Sequence, residues 1–283
     1  MKKIHQIAVC GGDRRQSCLA EALFRAGYPV AVWGRGDLRE EIPVLPIDLL
    51  LRQCDCFILP LPCTVDGKTL FAPDSAIPLL IKTGLAVHLQ GKTVFAGKKE
   101  RLAQADPRWN AVHCLDYSTE ESFAIRNAFA TVEGALAVAI SSSERTLWGS
   151  RCLVTGYGRI GRVLCQRLSA LGAQVWASAR RKEALTWIES EGYHVLTLEE
   201  ASECSDFDFV FNTIPAPVFS ASAMAKISPE TTLIELASEP GGFAQHPAGD
   251  GHPVVKALSL PGRFSPQTAG EILKETILTM LEE

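Results

Sequence analysis

Short apolar runs alternate with stretches whose apolar residues recur every three or four positions, from one end of the chain to the other. In the first part, residues 7–10, 30–33, 57–59, 86–89, 94–96 and 111–115 have strand length and strand composition. Between the first two, Leu19, Leu23 and Ala26 share one helical face and Gly27 is placed to end the helix. A second series follows, with strands predicted at 151–155, 174–178, 195–196, 209–212, 233–236 and 254–258. Its first helix, 160–171, turns Ile160, Val163, Leu164, Leu168 and Leu171 inward and stops at Gly172. A final amphipathic helix is predicted from Pro266 to about Leu281. Strand–helix alternation of this kind implies α/β layering around parallel sheets.

At 283 residues the chain exceeds one ordinary core and suits two domains of ~100–200 residues each. The expected architecture is α/β, two Rossmann-like doubly wound parallel-sheet domains joined by hinge helices. The boundaries follow the two series: 1–117, a hinge over 118–147, a dinucleotide-binding domain over 148–258, and a C-terminal helix at 259–283 packing back on the first domain. In the hinge, Ser118 and Glu121 form a capping-box pattern ahead of Phe123 and Ile125. A second hinge helix starts near Thr131 and carries Leu136, Ala139 and Ile140.

Composition narrows the function classes. With 47% hydrophobic and 21% charged residues the chain is of globular type. Its 28 basic and 32 acidic residues, net −4, provide no electrostatic footprint for nucleic acid or an anionic membrane. No uninterrupted apolar run approaches the ~18 residues of a membrane span. Lys2 and Lys3 ahead of a short apolar stretch read better as the lead into a first strand than as a signal segment, and a cytoplasmic location is expected. Nine scattered cysteines without zinc-ligand spacing are expected to be buried and reduced, and no metal site is predicted.

Gly156-Tyr157-Gly158-Arg159-Ile160-Gly161 reads G-x-G-x-x-G directly after a strand and directly before a helix. Such a turn brings the backbone close to a pyrophosphate, which the free N–H groups and dipole of the helix then hold. A carboxylate at the end of the next strand would bind the 2′-hydroxyl of NAD. This chain has Ser178-Ala179-Arg180-Arg181 there, a set suited to a 2′-phosphate. NADP is therefore the expected cofactor, with NAD possible. Thr213, Ile214 and Pro215 follow one later strand, and Ala237 and Ser238 the next, where ribose and nicotinamide are expected. Pro215 reads equally well as a plain turn residue.

Gly11-Gly12-Asp13-Arg14-Arg15-Gln16 also joins a strand to a helix but lacks the dinucleotide spacing. Two readings stand side by side: Asp13 as a simple N-cap with solvated arginines, or a receptor for small carboxylates.

These segments, taken together, resemble the dipicolinate synthase A-subunit family of spore-forming bacteria. The resemblance rests on GGDxRQ at 11–16, Thr131-Val132-Glu133-Gly134, the glycine motif at 156–161, Asn212-Thr213-Ile214-Pro215, A-S-x-P-G-G at 237–242, and Leu260-Pro261-Gly262 with Pro266-Gln267-Thr268-Ala269-Gly270. One departure is Ala130, where the family usually has proline. The resemblance implies oxidation of dihydrodipicolinate to dipicolinate with NADP as hydride acceptor. It further implies a partner, the flavoprotein-like B subunit, and action in the mother cell during sporulation. A homo-oligomer is also compatible with the sequence.

For a base, Glu133 is the first candidate and His113 the second. Their structural alternatives are a helix first-turn carboxylate and a packing histidine. Arg15, with Thr131 and Thr268 as hydroxyl donors, is expected to orient substrate carboxylates, and Asp13 to hold the loop. His246 and His252 lie in a Gly/Pro-rich loop with no third ligand. Competing readings are another two-domain amino-acid or hydroxy-acid dehydrogenase, and a dinucleotide-binding subunit whose chemistry resides in its partner.

Overall fold

The computed structural model describes residues 5–82, 84–203, 205–244 and 253–282. In chain order the elements are β1 (Ile7–Cys10), α1 (Arg14–Arg25), β2 (Val30–Trp33), α2 (Ile47–Gln53), β3 (Cys56–Ile58), α3 (Leu85–Leu89), β4 (Thr93–Ala96), α4 (Glu100–Ala105), β5 (Cys114–Asp116) and α5 (Glu121–Ser141). They continue with β6 (Arg151–Thr155), α6 (Arg159–Ala170), β7 (Gln174–Ala179), α7 (Lys182–Ser190), β8 (His194–Thr197), α8 (Leu198–Glu203), β9 (Phe209–Asn212), α9 (Ala221–Met224), β10 (Thr232–Glu235), β11 (Val254–Lys256), α10 (Leu260–Phe264) and α11 (Pro266–Glu282).

Two compact units divide these elements, one comprising residues 1–127 with 261–283 and the other 128–260. Unit one holds a sheet in the order β2-β1-β3-β4-β5, and unit two a sheet in the order β11-β10-β9-β6-β7-β8. Every strand pair is parallel. Both are doubly wound, the second with the dinucleotide-fold order read from its far edge.

Helices on both faces explain the uninterrupted apolar strands. In β1, Ile7 and Val9 enter one core while Ala8 and Cys10 enter the other. In β6, Cys152 and Val154 face one core and Leu153 the opposite one. Side chains that alternate about a strand must divide in this way. Unit one also takes in α11, whose Ile272, Leu273 and Ile277 pack with Leu19 and Leu23 of α1. The approach is so close that a Cβ on Gly270 would fall 2.7 Å from the backbone nitrogen of Leu19.

Three local expectations need correction. Residues 86–89 are not a strand but belong to α3, because Gly84 turns the chain at φ 90 and burial falls on Leu85, Ala86 and Leu89, a helical spacing. The hinge is not two helices but the single helix α5. Alanine at 130 supplies the N–H and lacks the ring that would stop a helix there. The capping-box pattern at Ser118 is also not used. Its hydroxyl donates to Asp116 Oδ1 at 2.6 Å, within a short 3-10 turn, Tyr117–Thr119.

By length and composition α5 is apolar enough to cross a membrane, although Arg126 and Glu133 interrupt its apolar run. Half of its apolar stretch is buried within the protein. Phe123 lies in a core of unit one, and Val132, Ala135, Val138 and Ala139 in a core of unit two. The eight described cysteines are free thiols.

Candidate functional site

In unit two, β6 is flanked by β7 on one side and β9 on the other, so the winding reverses at its carboxyl end. That is where a parallel sheet opens a crevice for a ligand. The glycine loop sits in this position, and its three glycines answer to different constraints. Gly156 has φ 95, and a Cβ there would meet Thr213 Oγ1 at 2.4 Å. A Cβ on Gly161 would lie 2.0 Å from the Gly156 carbonyl oxygen, so helix and strand could not approach. Around the Cβ direction of Gly158 nothing lies within 4 Å among the described residues other than its own chain neighbours. Nothing in the fold demands glycine at 158, but a pyrophosphate resting on the backbone would. No side chain caps the first turn of α6, which leaves its positive end open toward that space. The loop therefore fits a dinucleotide. Arg159 is exposed beside it and Ile160 is half-buried against the core. Tyr157 faces the other way, packed into the core with its phenol raised above the ordinary tyrosine value by burial and by the Glu191 carboxylate.

At the end of β7, Ser178 is buried and its hydroxyl has no hydrogen-bond partner among the described residues. Arg180 and Arg181 follow, both exposed, Arg181 in the N-cap position of α7. A cation there opposes the helix dipole. Neither guanidinium is bonded to a carboxylate among the described residues, unlike Arg145, which meets both Asp208 and Glu230.

A buried polar chain ties the remaining loops together. Thr155 Oγ1 donates to Asn212 Oδ1 at 2.6 Å, and Asn212 Nδ2 donates to Ile214 O at 2.9 Å and to Glu235 Oε1 at 2.6 Å. Glu235 also accepts the N–H of Ala237 at 3.0 Å and that of Gly242 at 2.7 Å. Thr213 Oγ1 donates to Thr155 O at 2.8 Å. The ends of β6, β9 and β10 are thus joined through side chains with almost no solvent exposure. Thr213 and Ile214 are half-buried and Pro215 exposed, while Ala237 is buried and Ser238 exposed at the next strand end. Asn212 is visible in the sequence as part of a motif. Thr155 and Glu235 give no signal there, because a lone threonine or glutamate at a strand end is unremarkable until its partners are known.

In unit one the corresponding crevice is filled by the chain itself. After β3 a long segment folds over the carboxyl ends of β1 and β2, and Phe71 O accepts the Gly12 N–H at 2.6 Å. Gly11 and Gly34 both lie against Ala72. Arg35, 4% exposed, pins the segment: it bonds Gly12 O at 3.2 Å, pairs with Asp74, and is held by Asp37 and Ser17. Burial works against the Asp37 carboxylate, but hydrogen bonds from Ser17 and Arg35 hold it below the usual carboxylate range.

Asp13 caps α1 and also grips Arg15, whose Nε and Nη2 each reach the carboxylate at 2.8 Å. Arg15 Nη2 donates to Leu61 O at 2.7 Å as well, and the residue is 5% exposed. Asp13 is thus the cap, but Arg15 is buried rather than solvated. Gly262 backs directly onto Asp13, with a Cβ direction 2.5 Å from Oδ2. Thr268 is exposed in the first turn of α11.

On α5, Thr131 is buried while Glu133, two residues on, is exposed. Glu133 lies in the interior of the long helix rather than in its first turn, so the dipole account of it fails. His113 is exposed and precedes the amino end of β5, where its carbonyl accepts the Val94 N–H. It therefore stands at the wrong end of the sheet for a base in a strand-end crevice. Among the described residues no group of three His, Cys, Asp or Glu could hold a metal ion. His246, His252 and Cys204 lie outside the described residues.

Residues 130–239 match the family model of the D-isomer specific 2-hydroxyacid dehydrogenase, NAD binding domain. The chain is thus a two-unit α/β protein with a nicotinamide-dinucleotide domain of the dehydrogenase type. Residues 6–114 match the N-terminal domain of the dipicolinate synthase A subunit. Along its whole length the chain resembles the A subunit of dipicolinate synthase. It is 28% identical to that protein of Bacillus subtilis (strain 168) over 292 aligned positions, covering 98% of this chain and 96% of the relative. The crystal structure of the A subunit of dipicolinate synthase from Bacillus halodurans superposes with a TM-score of 0.84 at 26% identity, covering 98% of both chains. That of its Bacillus subtilis counterpart gives 0.81 at 29%, covering 98% of this chain and 95% of that one.

Proposed function

We propose that this chain oxidises dihydrodipicolinate to dipicolinate, pyridine-2,6-dicarboxylate, with NADP as hydride acceptor, as the A subunit of a two-subunit enzyme. Two lines support this: the end-to-end likeness to the A subunit of dipicolinate synthase, and a dehydrogenase-type domain in unit two. The observation that carries the choice of cofactor is the pair Arg180 and Arg181, two guanidinium groups without counter-ions among the described residues, one step beyond β7. A 2′-phosphate supplies the missing anion, and the small, buried Ser178 leaves room for it.

NADP, held by the backbone at 156–161 with Ser178, Arg180 and Arg181, would supply the hydride acceptor. The protein's own residues do the rest. The backbone at 156–161 holds the pyrophosphate. The Thr155–Asn212–Glu235 chain fixes the loops beside the nicotinamide half. Arg15, with Thr131 and Thr268 as hydroxyl donors, orients the substrate carboxylates while Asp13 holds the loop, and Glu133 takes the ring proton. Loss of one hydride and one proton leaves an aromatic ring, which drives the reaction forward. The companion is a flavoprotein-like B subunit, and the setting is the mother-cell cytoplasm of a sporulating bacterium.

The test is the purified chain with dihydrodipicolinate and NADP, with and without the B subunit. NADPH formation by the chain alone, followed by absorbance, establishes autonomous catalysis. Reduction only when both chains are present assigns part of the chemistry to the partner. Reduction in neither case refutes the proposed reaction.

A further inference from the structure

Two described residues other than glycine have positive φ, Lys98 at 60 and Ser259 at 55. Lys98 stands immediately beyond β4, at the carboxyl end of the sheet of unit one. A lysine in the left-handed region is strained, and strain of this kind persists only where the surroundings impose it. Here they do. The Lys98 N–H is shared between Asp116 Oδ1 at 3.3 Å and Ser118 Oγ at 3.1 Å, its carbonyl accepts from Cys63 Sγ at 3.2 Å, and the next N–H, of Lys99, donates to Asp116 Oδ2 at 2.8 Å. Gly97, just before it, is pressed against Leu61, with a Cβ direction 2.6 Å from the Leu61 Cβ.

Leu61 is also the residue whose carbonyl binds Arg15. The backbone that carries Lys98 is therefore packed on the residue that anchors the arginine expected to receive a carboxylate. The cations near these strand ends differ in what they have to offer. Arg15 is matched by Asp13, and Arg35 by Asp37 and Asp74. Lys99 donates to Cys114 O and Arg101 to Thr64 O. Lys98 is half-buried, and its ammonium is bonded to nothing among the described residues.

We infer that Lys98 is a substrate-binding residue, its ammonium held by a strained backbone at the carboxyl end of β4 to receive a carboxylate of a small dicarboxylate. This rests on the reaction proposed above. A glycine there would serve the turn better, so a lysine in its place is explained by its side chain.

The substitution Lys98→Gly separates the two roles, since it relieves the backbone while removing the ammonium together with its aliphatic stem. The expected result is an unchanged or higher melting temperature, unchanged NADP affinity, and a KM for dihydrodipicolinate raised at least about tenfold, with pyridine-2,6-dicarboxylate binding weakened in parallel by calorimetry. Lys98→Arg, which keeps the charge, should recover part of the loss. A Lys98→Gly chain with wild-type KM and wild-type dicarboxylate affinity overturns the inference. A wild-type chain that oxidises no dihydrodipicolinate even with its partner overturns the parent reading instead, and the two failures are distinguishable.

Discussion

A Cβ on Gly161 would sit 2.0 Å from the carbonyl oxygen of Gly156, whereas one on Gly158 would meet no described residue beyond its chain neighbours. The same motif thus holds one glycine that the fold requires and another at which the fold leaves space open. Gly161→Ala should destabilise unit two by roughly 3 kcal/mol through overpacking. Gly158→Ala has a backbone, φ −89 and ψ −159, that alanine adopts freely, and should change stability by under about 0.5 kcal/mol. It should nevertheless weaken NADP at least tenfold. Denaturant melts and calorimetry on the two variants check this, and equal effects on folding would remove the case for a pyrophosphate at Gly158.

Among the described residues Arg180 and Arg181 have no carboxylate to release when a phosphate arrives. Charge-assisted hydrogen bonds of this kind are worth about 1.5–3 kcal/mol each. The double variant Arg180→Ala, Arg181→Ala should weaken NADP by about 30-fold or more and NAD by no more than about threefold. Parallel losses for both cofactors would discard the 2′-phosphate assignment.

Glu235 accepts three N–H groups on two oxygens, from Asn212, Ala237 and Gly242. Glu235→Gln places an amide where one of those donors points and leaves a buried donor without an acceptor, a loss of about 1–3 kcal/mol. Because the loops at 212–215 and 237–242 hang on this side chain, the affinity for full NADP should fall while that for its adenosine-2′-phosphate half stays level. A variant that melts early but binds both ligands as the wild type does would confine Glu235 to stability.

Arg15 is bound more tightly within the protein than a free carboxylate receptor would be. Removing it in Arg15→Ala leaves the Asp13 carboxylate partly buried and unmatched, which should lower the stability of unit one by about 3 kcal/mol. As the proposed ligand of a substrate carboxylate it should also raise the KM for dihydrodipicolinate, and a lowered melting temperature with wild-type KM would confine Arg15 to stability.

The thiols provide a pH test. Burial pushes Cys56, Cys63 and Cys152 up to about 12, and Cys10 and Cys165 higher still. At pH 8 their thiolate fraction is on the order of 10⁻⁴ or less, and the thiolate is the reactive form. An aromatic disulfide reagent should leave these five unlabelled in the native protein at pH 8 and label all of them in denaturant. Peptide mapping that finds Cys56 or Cys152 labelled without denaturant would contradict the burial described.

Most of the fold is legible in the sequence because strands buried on both faces leave short apolar runs between helical patterns. The glycine motif is legible because its spacing follows from backbone contacts. Segment 86–89 passes for a strand because four residues are too few to tell a period of two from one of three or four, and only the left-handed Gly84 settles it. The hinge is one helix because Ala130 supplies an N–H where a proline would break it, a continuity that the apolar spacing of the segment does not reveal. Lys98, Arg35 and Glu235 leave no trace in the sequence, since what marks each is a backbone angle or partners at 18, 39 and 23 positions' remove, such as Asp116, Asp74 and Asn212.

The tether of Phe71 to Gly12 has a consequence for stoichiometry. Two doubly wound sheets suggest two seats for coenzyme, but in unit one a loop of the protein is already the tenant, bolted down by Arg35. A titration with NADP should therefore end at one equivalent per polypeptide, however high the coenzyme concentration is carried.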